Sequence, residues 1–243
     1  MNGLATRAGA RIPHAGDRYG SDVILLWHGE GTNGGTTITD SSLFNHNPPT
    51  TQIAVTTSTT QFKYGLASAA FNAGSGSFAE YTATSEWLDG TKDWTKEGWI
   101  YPTAVDATRR SIFDFRFDGS GSGTAFAMDF IAGALRFEIG VGSSLFSITG
   151  TAPTVNTWQH VAFVRDGNSL RYYLNGVQQA SRSDLAGGSM NDKSATAKVR
   201  IGRRNDGAQN YDGWMDEVRF TRNICRYPGG TTFTPPSGPF PNP

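Results

Sequence analysis

Apolar and polar residues alternate with a period of two along most of this chain, in short runs separated by Gly, Asn, Asp, Ser and Pro. The pattern predicts strands at DVILLWH (22–28), QIAVTT (52–57), SFAEYT (77–82), TKEGWIYP (95–102), RSIFDFRF (110–117), TAFAMDFI (124–131) and ALRFEIGV (134–141). It continues with LFSIT (145–149), WQHVAFVR (158–165), SLRYYLNG (169–176), VQQASRS (177–183), AKVRIGR (197–203) and GWMDEVRFT (213–221). No stretch has a convincing helical period, and the nearest candidate, SEWLDGTKDW (85–94), is broken by Gly90. Short strands without helices between them must pair antiparallel, and two packed sheets are the natural way to bury their apolar faces. Asp166–Gly167 and Asn175–Gly176 predict tight hairpin turns, and Ala132–Gly133 a third. The periodicity assigns Leu25, Trp27, Trp99, Ile100, Val161, Phe163, Leu174, Ile201, Trp214 and Val218 to the core.

The segment YDGWMDEVRFTR (211–222) raises a chemical question. Strict alternation puts Trp214, Asp216, Val218 and Phe220 on one face and Met215, Glu217, Arg219 and Thr221 on the other. A carboxylate on an apolar face costs several kcal/mol unless something compensates it. For Asp216 the compensation is an arginine such as Arg200 or Arg219, a set of backbone N–H groups, or a bound cation.

The ends read differently from the middle. Residues 1–20 carry Arg7, Arg11 and Arg18 among small residues, with Pro13 and Gly16 as breakers, and have no apolar segment of the kind a secretory signal needs. This arm cannot bury enough apolar surface to order itself, so it is expected to dock on a partner through its arginines. TPPSGPFPNP (234–243) has too many prolines to continue a sheet and is expected to run extended over the surface. The expected organisation is an arm (1–20), one sandwich domain (21–227) and a Pro-rich tail (228–243).

Composition narrows the function classes. The 243 residues carry 21 basic and 21 acidic side chains, so the basic surplus of a nucleic-acid binder is missing. No apolar run reaches membrane-spanning length. One cysteine, Cys225, excludes an intrachain disulfide. His14, His28, His46 and His160 show no zinc-ligand spacing. Glycoside hydrolysis needs two carboxylates at a set separation across a cleft, and Asp114, Asp118, Asp129 and Glu138 fall on separate predicted strands with no alternating acidic strand among them. No nucleophile elbow or phosphate-binding glycine loop is present. A sugar-binding surface needs exposed aromatic planes. Trp27, Trp99, Trp158 and Trp214 sit inside strand patterns and are assigned to the core, which leaves Trp87, in a loop-like stretch, and Tyr211 as the candidates.

TWQHVAFVRDG (157–167), LRYYLNGVQ (170–178), VRIG (199–202), DGWMDEVRFTR (212–222) and CRYPGGTTFTPPSGPFP (225–241) follow one another in a characteristic order, preceded by VILLWHGEG (23–31), TTITDSS (36–42), KYGLASAAFNA (63–73) and WTKEGWIYP (94–102). Together they resemble a laminin-G-like domain of the concanavalin A-like lectin/glucanase superfamily, in the variety common in bacteriophage structural proteins. The resemblance implies an all-β, two-sheet antiparallel jelly-roll. It also implies a structural calcium ion at the rim, with Glu30 and Asp216 as ligands, although Gly29 and Glu30 stand where an aromatic and Asp are usual. Asn33, Asp40 and backbone carbonyls are further oxygen donors for the six to eight that calcium takes. The implied role is a non-enzymatic virion component made in the host cytoplasm: a capsid decoration, knob or tail-associated module. It would be held by other virion proteins through its termini within a larger assembly and would face a cell-surface glycan. A free lectin and a polysaccharide-cleaving enzyme are the alternatives.

Overall fold

A computed structural model describes residues 16–116, 124–185, 187–191, 197–205, 207 and 209–243. Its strands are β1 (Val23–Trp27), β2 (Thr51–Ile53), β3 (Thr56–Ser58), β4 (Ser68–Phe71), β5 (Phe78–Thr82), β6 (Trp94–Pro102), β7 (Arg110–Arg116), β8 (Thr124–Ile131), β9 (Ala134–Val141), β10 (Ser144–Thr151), β11 (Gln159–Asp166), β12 (Ser169–Leu174), β13 (Val177–Arg182), β14 (Lys198–Ile201) and β15 (Gly213–Arg222). They form two antiparallel sheets. One has seven strands in the order β10-β9-β8-β7-β14-β5-β2; the other has eight, β13-β12-β11-β6-β15-β4-β3, with β1 also paired to β15. The expected two-sheet jelly-roll is the fold. Among the described residues no helix is long and apolar enough to cross a membrane.

The core lies between the sheets. Phe113, Phe115, Phe126, Met128, Phe137 and Ile139 project from the seven-stranded sheet and meet Ile100, Val161, Phe163, Tyr172, Met215, Val218 and Phe220 from the other. Phe137 and Phe163 lie 4.4 Å apart between ring centroids, and Phe113 and Phe220 4.9 Å. Each side chain fully buried in this way adds about 1.5–3 kcal/mol, so a chain with no disulfide has an adequate source of stability.

Local departures from the predicted pattern have identifiable causes. QIAVTT divides into β2 and β3 because Ala54 adopts a positive φ of 49°, and the two halves then join different sheets. β4 was not legible in SAAF, whose small residues have little intrinsic strand preference; pairing with β15 and β3 makes it a strand. SEWLDGTKDW yields only a 3-10 turn, Ser85–Trp87. The most consequential departure is a bulge in β15. The register against β6 shifts between Asp216 and Arg219, and Glu217 takes φ 49°. Strict alternation fails there. Met215, Val218 and Phe220 are in the core, and Trp214 and Asp216 belong to the outer face, not to the face of Val218.

The ends are part of the packing. The tail crosses the outer face of the eight-stranded sheet, where Cys225, Tyr227 and Phe233 pack against Ala162, Val164 and Tyr173. Farther on, Phe240 is buried against Val23 and Leu26. The Asn175–Gly176 turn forms as predicted, with φ 48° and 76°, and the tail fits closely against it: a Cβ on Gly176 would lie 2.0 Å from the Phe233 carbonyl oxygen. Extended chain on the surface describes the tail only in part, because its two phenylalanines are anchors.

Candidate functional site

On the outer face of the eight-stranded sheet, Trp214 of β15 stands opposite Tyr101 of β6. Gln159 pairs with Ile100, which brings Trp158, one residue earlier, beside Tyr101 on its other side. The three rings form a row across the strands with centroids 5.5 Å apart at both steps, the central tyrosine edge-to-face with both indoles. All three are half-buried. Beside Trp214 a groove of about 400 Å³ is walled by Thr56, Ala70, Asn72, Thr103 and Asp212. The Asp212 carboxylate is fixed in place: one oxygen accepts from the Ala73 N–H at 2.9 Å and the other from the Thr103 hydroxyl at 2.6 Å. An indole with a polar rim can stack against the C–H face of a pyranose and bond its hydroxyls.

This inverts the sequence assignment of the tryptophans. Trp87, taken as the exposed candidate, is 1% exposed, because its short turn folds it under the sandwich end against His46, Tyr81 and Phe220. Tyr211, the other candidate, is 0% exposed; it packs on Phe71 and Phe130 and donates its hydroxyl to the Trp214 carbonyl. Neither offers a plane to a ligand. Trp158 and Trp214, assigned to the core, carry the surface row. The signal for Trp214 was the positive-φ bulge at Glu217, which a run of alternating residues does not disclose.

Farther along β15 the same face carries a buried ionic network. Glu97 accepts from Arg219 Nε and Nη2 at 2.9 and 2.7 Å and from the Tyr227 hydroxyl at 2.6 Å, with His160 Nε2 at 3.2 Å. Burial alone would raise the Glu97 pKa, but Arg219 and His160 bring it far below the usual carboxylate range. Asp17 accepts from Arg219 at 3.1 Å and Arg226 at 2.6 Å, and its N–H donates to the Asn242 carbonyl. The N-terminal arm therefore enters the fold through a carboxylate. Of its three arginines, Arg7 and Arg11 lie outside the described residues, and Arg18 is exposed and stacks over Tyr19.

The rim residues have a different job from the one the resemblance implied. β1 and β15 are neighbours, so Glu30 and Asp216 do reach one region, and both hold the loop 63–66. Asp216 Oδ2 accepts from the N–H groups of Lys63 and Tyr64 at 2.7 and 3.0 Å, and Glu30 accepts from that of Leu66 at 2.9 Å. Backbone N–H groups, not an arginine, are what compensate Asp216. Asp216 Oδ1 is buried without a hydrogen-bond partner, and burial pushes this carboxyl up to about 7. Asp40 already accepts four hydrogen bonds, from the Leu26, Ser42 and His46 N–H groups and the Ser42 hydroxyl, and Asn33 accepts from the Thr59 N–H. Among the described residues no three His, Cys, Asp or Glu side chains are placed to share a metal ion. Calcium takes six to eight oxygens, and this donor set does not fit it.

The seven-stranded sheet gathers the carboxylates that the sequence scattered. Thr51, Glu80, Arg200, Asp114, Ala127, Glu138 and Ser147 form one cross-strand row over all seven strands. Glu80 is paired with Arg200 at 2.6 Å and with Lys198. Glu138 is paired with Arg136 at 3.0 Å and Arg109 at 3.3 Å, and Asp129 with Arg109. Asp114 accepts from Arg116 Nε at 2.6 Å and from the Asn205 N–H at 2.8 Å; burial pushes its carboxyl up to about 6. The loop carrying Asn205 closes over Asp114, which is fully buried.

No curated protein matches this sequence. Among solved structures, the binding domain of Paraclostridial Mosquitocidal Protein 1 shares the fold at TM-score 0.66 and 12% identity, over 86% of this chain and 51% of that one. The binding domain of botulinum neurotoxin serotype C1 aligns at TM-score 0.58 and 12% identity, over 85% and 50%. That of botulinum neurotoxin DC, solved in complex with rat synaptotagmin II, aligns at 0.61 and 11%, again over 85% and 50%. The chain thus spans about half the length of these relatives, and all three are binding domains. The family Laminin_G_3, described as concanavalin A-like lectin/glucanases superfamily, matches residues 74–223. This match covers more than half of the chain and agrees with the two-sheet jelly-roll, and the chain belongs to the concanavalin A-like lectin/glucanase superfamily.

Proposed function

We propose that this protein is a non-catalytic glycan-binding module whose site is the groove at Trp214. The observation that carries the reading is the partly exposed row of Trp214, Tyr101 and Trp158 beside polar walls set by Asn72, Thr103 and Asp212. The other face supports a non-enzymatic role. A hydrolase needs one carboxyl free to give a proton and another free to attack or activate water, whereas Asp114, Asp129 and Glu138 are each paired with arginine. The test is retention on a panel of immobilised oligosaccharides by the wild type and Trp214→Ala. Retention that falls at least about tenfold in the variant, with an unchanged circular dichroism spectrum, supports the site. Equal retention by both, or none by the wild type, ends it.

The setting we propose is the surface of a bacteriophage particle, with other virion proteins holding the chain near its termini. The support is the resemblance of the ordered motifs, together with the meeting of Asp17 and Asn242. This junction lies by Arg219, five residues along β15 from Trp214 and so roughly 17 Å away. A chain tethered there keeps its groove outward. Deleting residues 2–15, which spares Asp17, should leave folding intact and abolish incorporation into particles; normal incorporation would rule the arm out as the docking element.

A further inference from the structure

Resting on the glycan-binding reading, we infer that the Trp214 groove selects uncharged pyranosides and rejects sugars bearing a carboxylate or sulfate. The argument is the charge of the walls. Among the described residues the groove is lined by Ala54, Thr56, Asn72, Thr103, Asp212 and Trp214, together with Ala70, Phe71 and Gly213, and no cation is among them. Asp212 is the single charged member, and it is held in place by the Ala73 N–H and the Thr103 hydroxyl. Two described cations, Lys63 and Arg203, are engaged elsewhere. Lys63 lies over Trp99, 4.1 Å from the ring centroid. Arg203 lies over Phe78 and donates to the Gly207 carbonyl.

A neutral sugar stacked on Trp214 meets hydroxyl, amide and carboxylate groups, all of which can bond its hydroxyls. A carboxylated or sulfated sugar in the same pose brings its anion toward Asp212 with no guanidinium or ammonium on the wall to receive it. Two like charges about 4 Å apart at a wet surface already weaken binding by roughly fivefold, and a drier wall raises the factor. Selection here works by rejection, because the attractive contacts are common to both classes of sugar.

The experiment measures binding of the full chain to neutral oligosaccharides of glucose, galactose and N-acetylhexosamine, each beside its sialylated, sulfated or uronic-acid counterpart. The expected result is that neutral members bind at least about fivefold more tightly than their acidic counterparts. Raising the salt concentration should narrow the gap by strengthening acidic binding. Asp212→Asn should narrow it at constant salt; if that variant does not fold, the salt series on the wild type decides. Acidic members binding as well as neutral ones, with Trp214→Ala still abolishing both, overturns the selectivity and leaves the glycan site standing. Binding to nothing on the panel, or binding indifferent to Trp214→Ala, removes the site and the selectivity together.

Discussion

The two outer faces of this sandwich treat charge in opposite ways. On the seven-stranded sheet, acids and bases sit in register across the strands, neutralise one another and are closed over near Asn205. On the eight-stranded sheet, the Glu97–Arg219–Asp17 knot lies under the terminal segments, and the Trp214 end carries aromatic planes beside the Asp212 carboxylate. Carboxylates paired with arginine and lysine inside a sheet are not available to a substrate, however many there are. A single fixed carboxylate beside a partly exposed indole is available. Counting acidic residues therefore points to the wrong face, and their pairing points to the right one.

The largest test of this contrast is Glu97→Ala. It leaves Arg219 buried with half its partners gone and should cost about 3–5 kcal/mol in urea unfolding, with oligosaccharide binding unchanged under folding conditions. Loss of binding at full stability would mean that the knot belongs to the site. On the opposite face, Arg200→Met leaves Glu80 with Lys198 alone and should cost about 2–3 kcal/mol; the double variant Glu80→Leu/Arg200→Met should recover most of that, because an apolar pair carries no desolvation penalty. A double variant no better than the single would show that the row does more than neutralise itself. Trp214→Ala should lower stability by only about 1–2 kcal/mol, since part of the indole already faces water, against about 3–5 kcal/mol for Phe113→Ala in the core. Equal losses would place Trp214 in the core after all.

The most gradual effect is the pH profile. Between the ordinary Asp value of 3.8 and about 7, folded Asp216 holds a proton that the unfolded chain has released, so stability falls as pH rises through that window. His28 is raised above 6.5 by Glu217, against the opposing effect of burial; its contribution is complete below 6.5 and is lost as pH rises through the folded value. Glu97, held far below 4.5, acts at the other end: its contribution is present above 4.5 and is lost as pH falls. Thermal melting should show an optimum on the acidic side of neutrality, and Asp216→Asn should flatten the decline above it. A melting temperature that rises steadily from pH 5 to 8 would contradict the assignment.

Much of the architecture was legible in the alternation. Leu25, Ile100, Val161, Phe163 and Ile201 went to the core as their spacing required, and the Asn175–Gly176 turn formed where its residue types demanded. The glycan candidates were not legible. Trp87 looked exposed because its surroundings read as loop, and Trp214 looked buried because the pattern ran unbroken through Glu217.

By itself the sequence determined the class of fold, because a period of two allows a strand one apolar face, and strands without helices have only each other on which to bury it. It determined likewise that no disulfide would help, and that the acids and bases would balance. The tertiary structure decided which charged residues became neighbours, since Glu80, Arg200, Asp114 and Glu138 meet only through strand order. It also decided which tryptophans reach water. One residue in a left-handed conformation exchanges the two faces of a strand, and such a residue is held there by the contacts around it more than by its own preference.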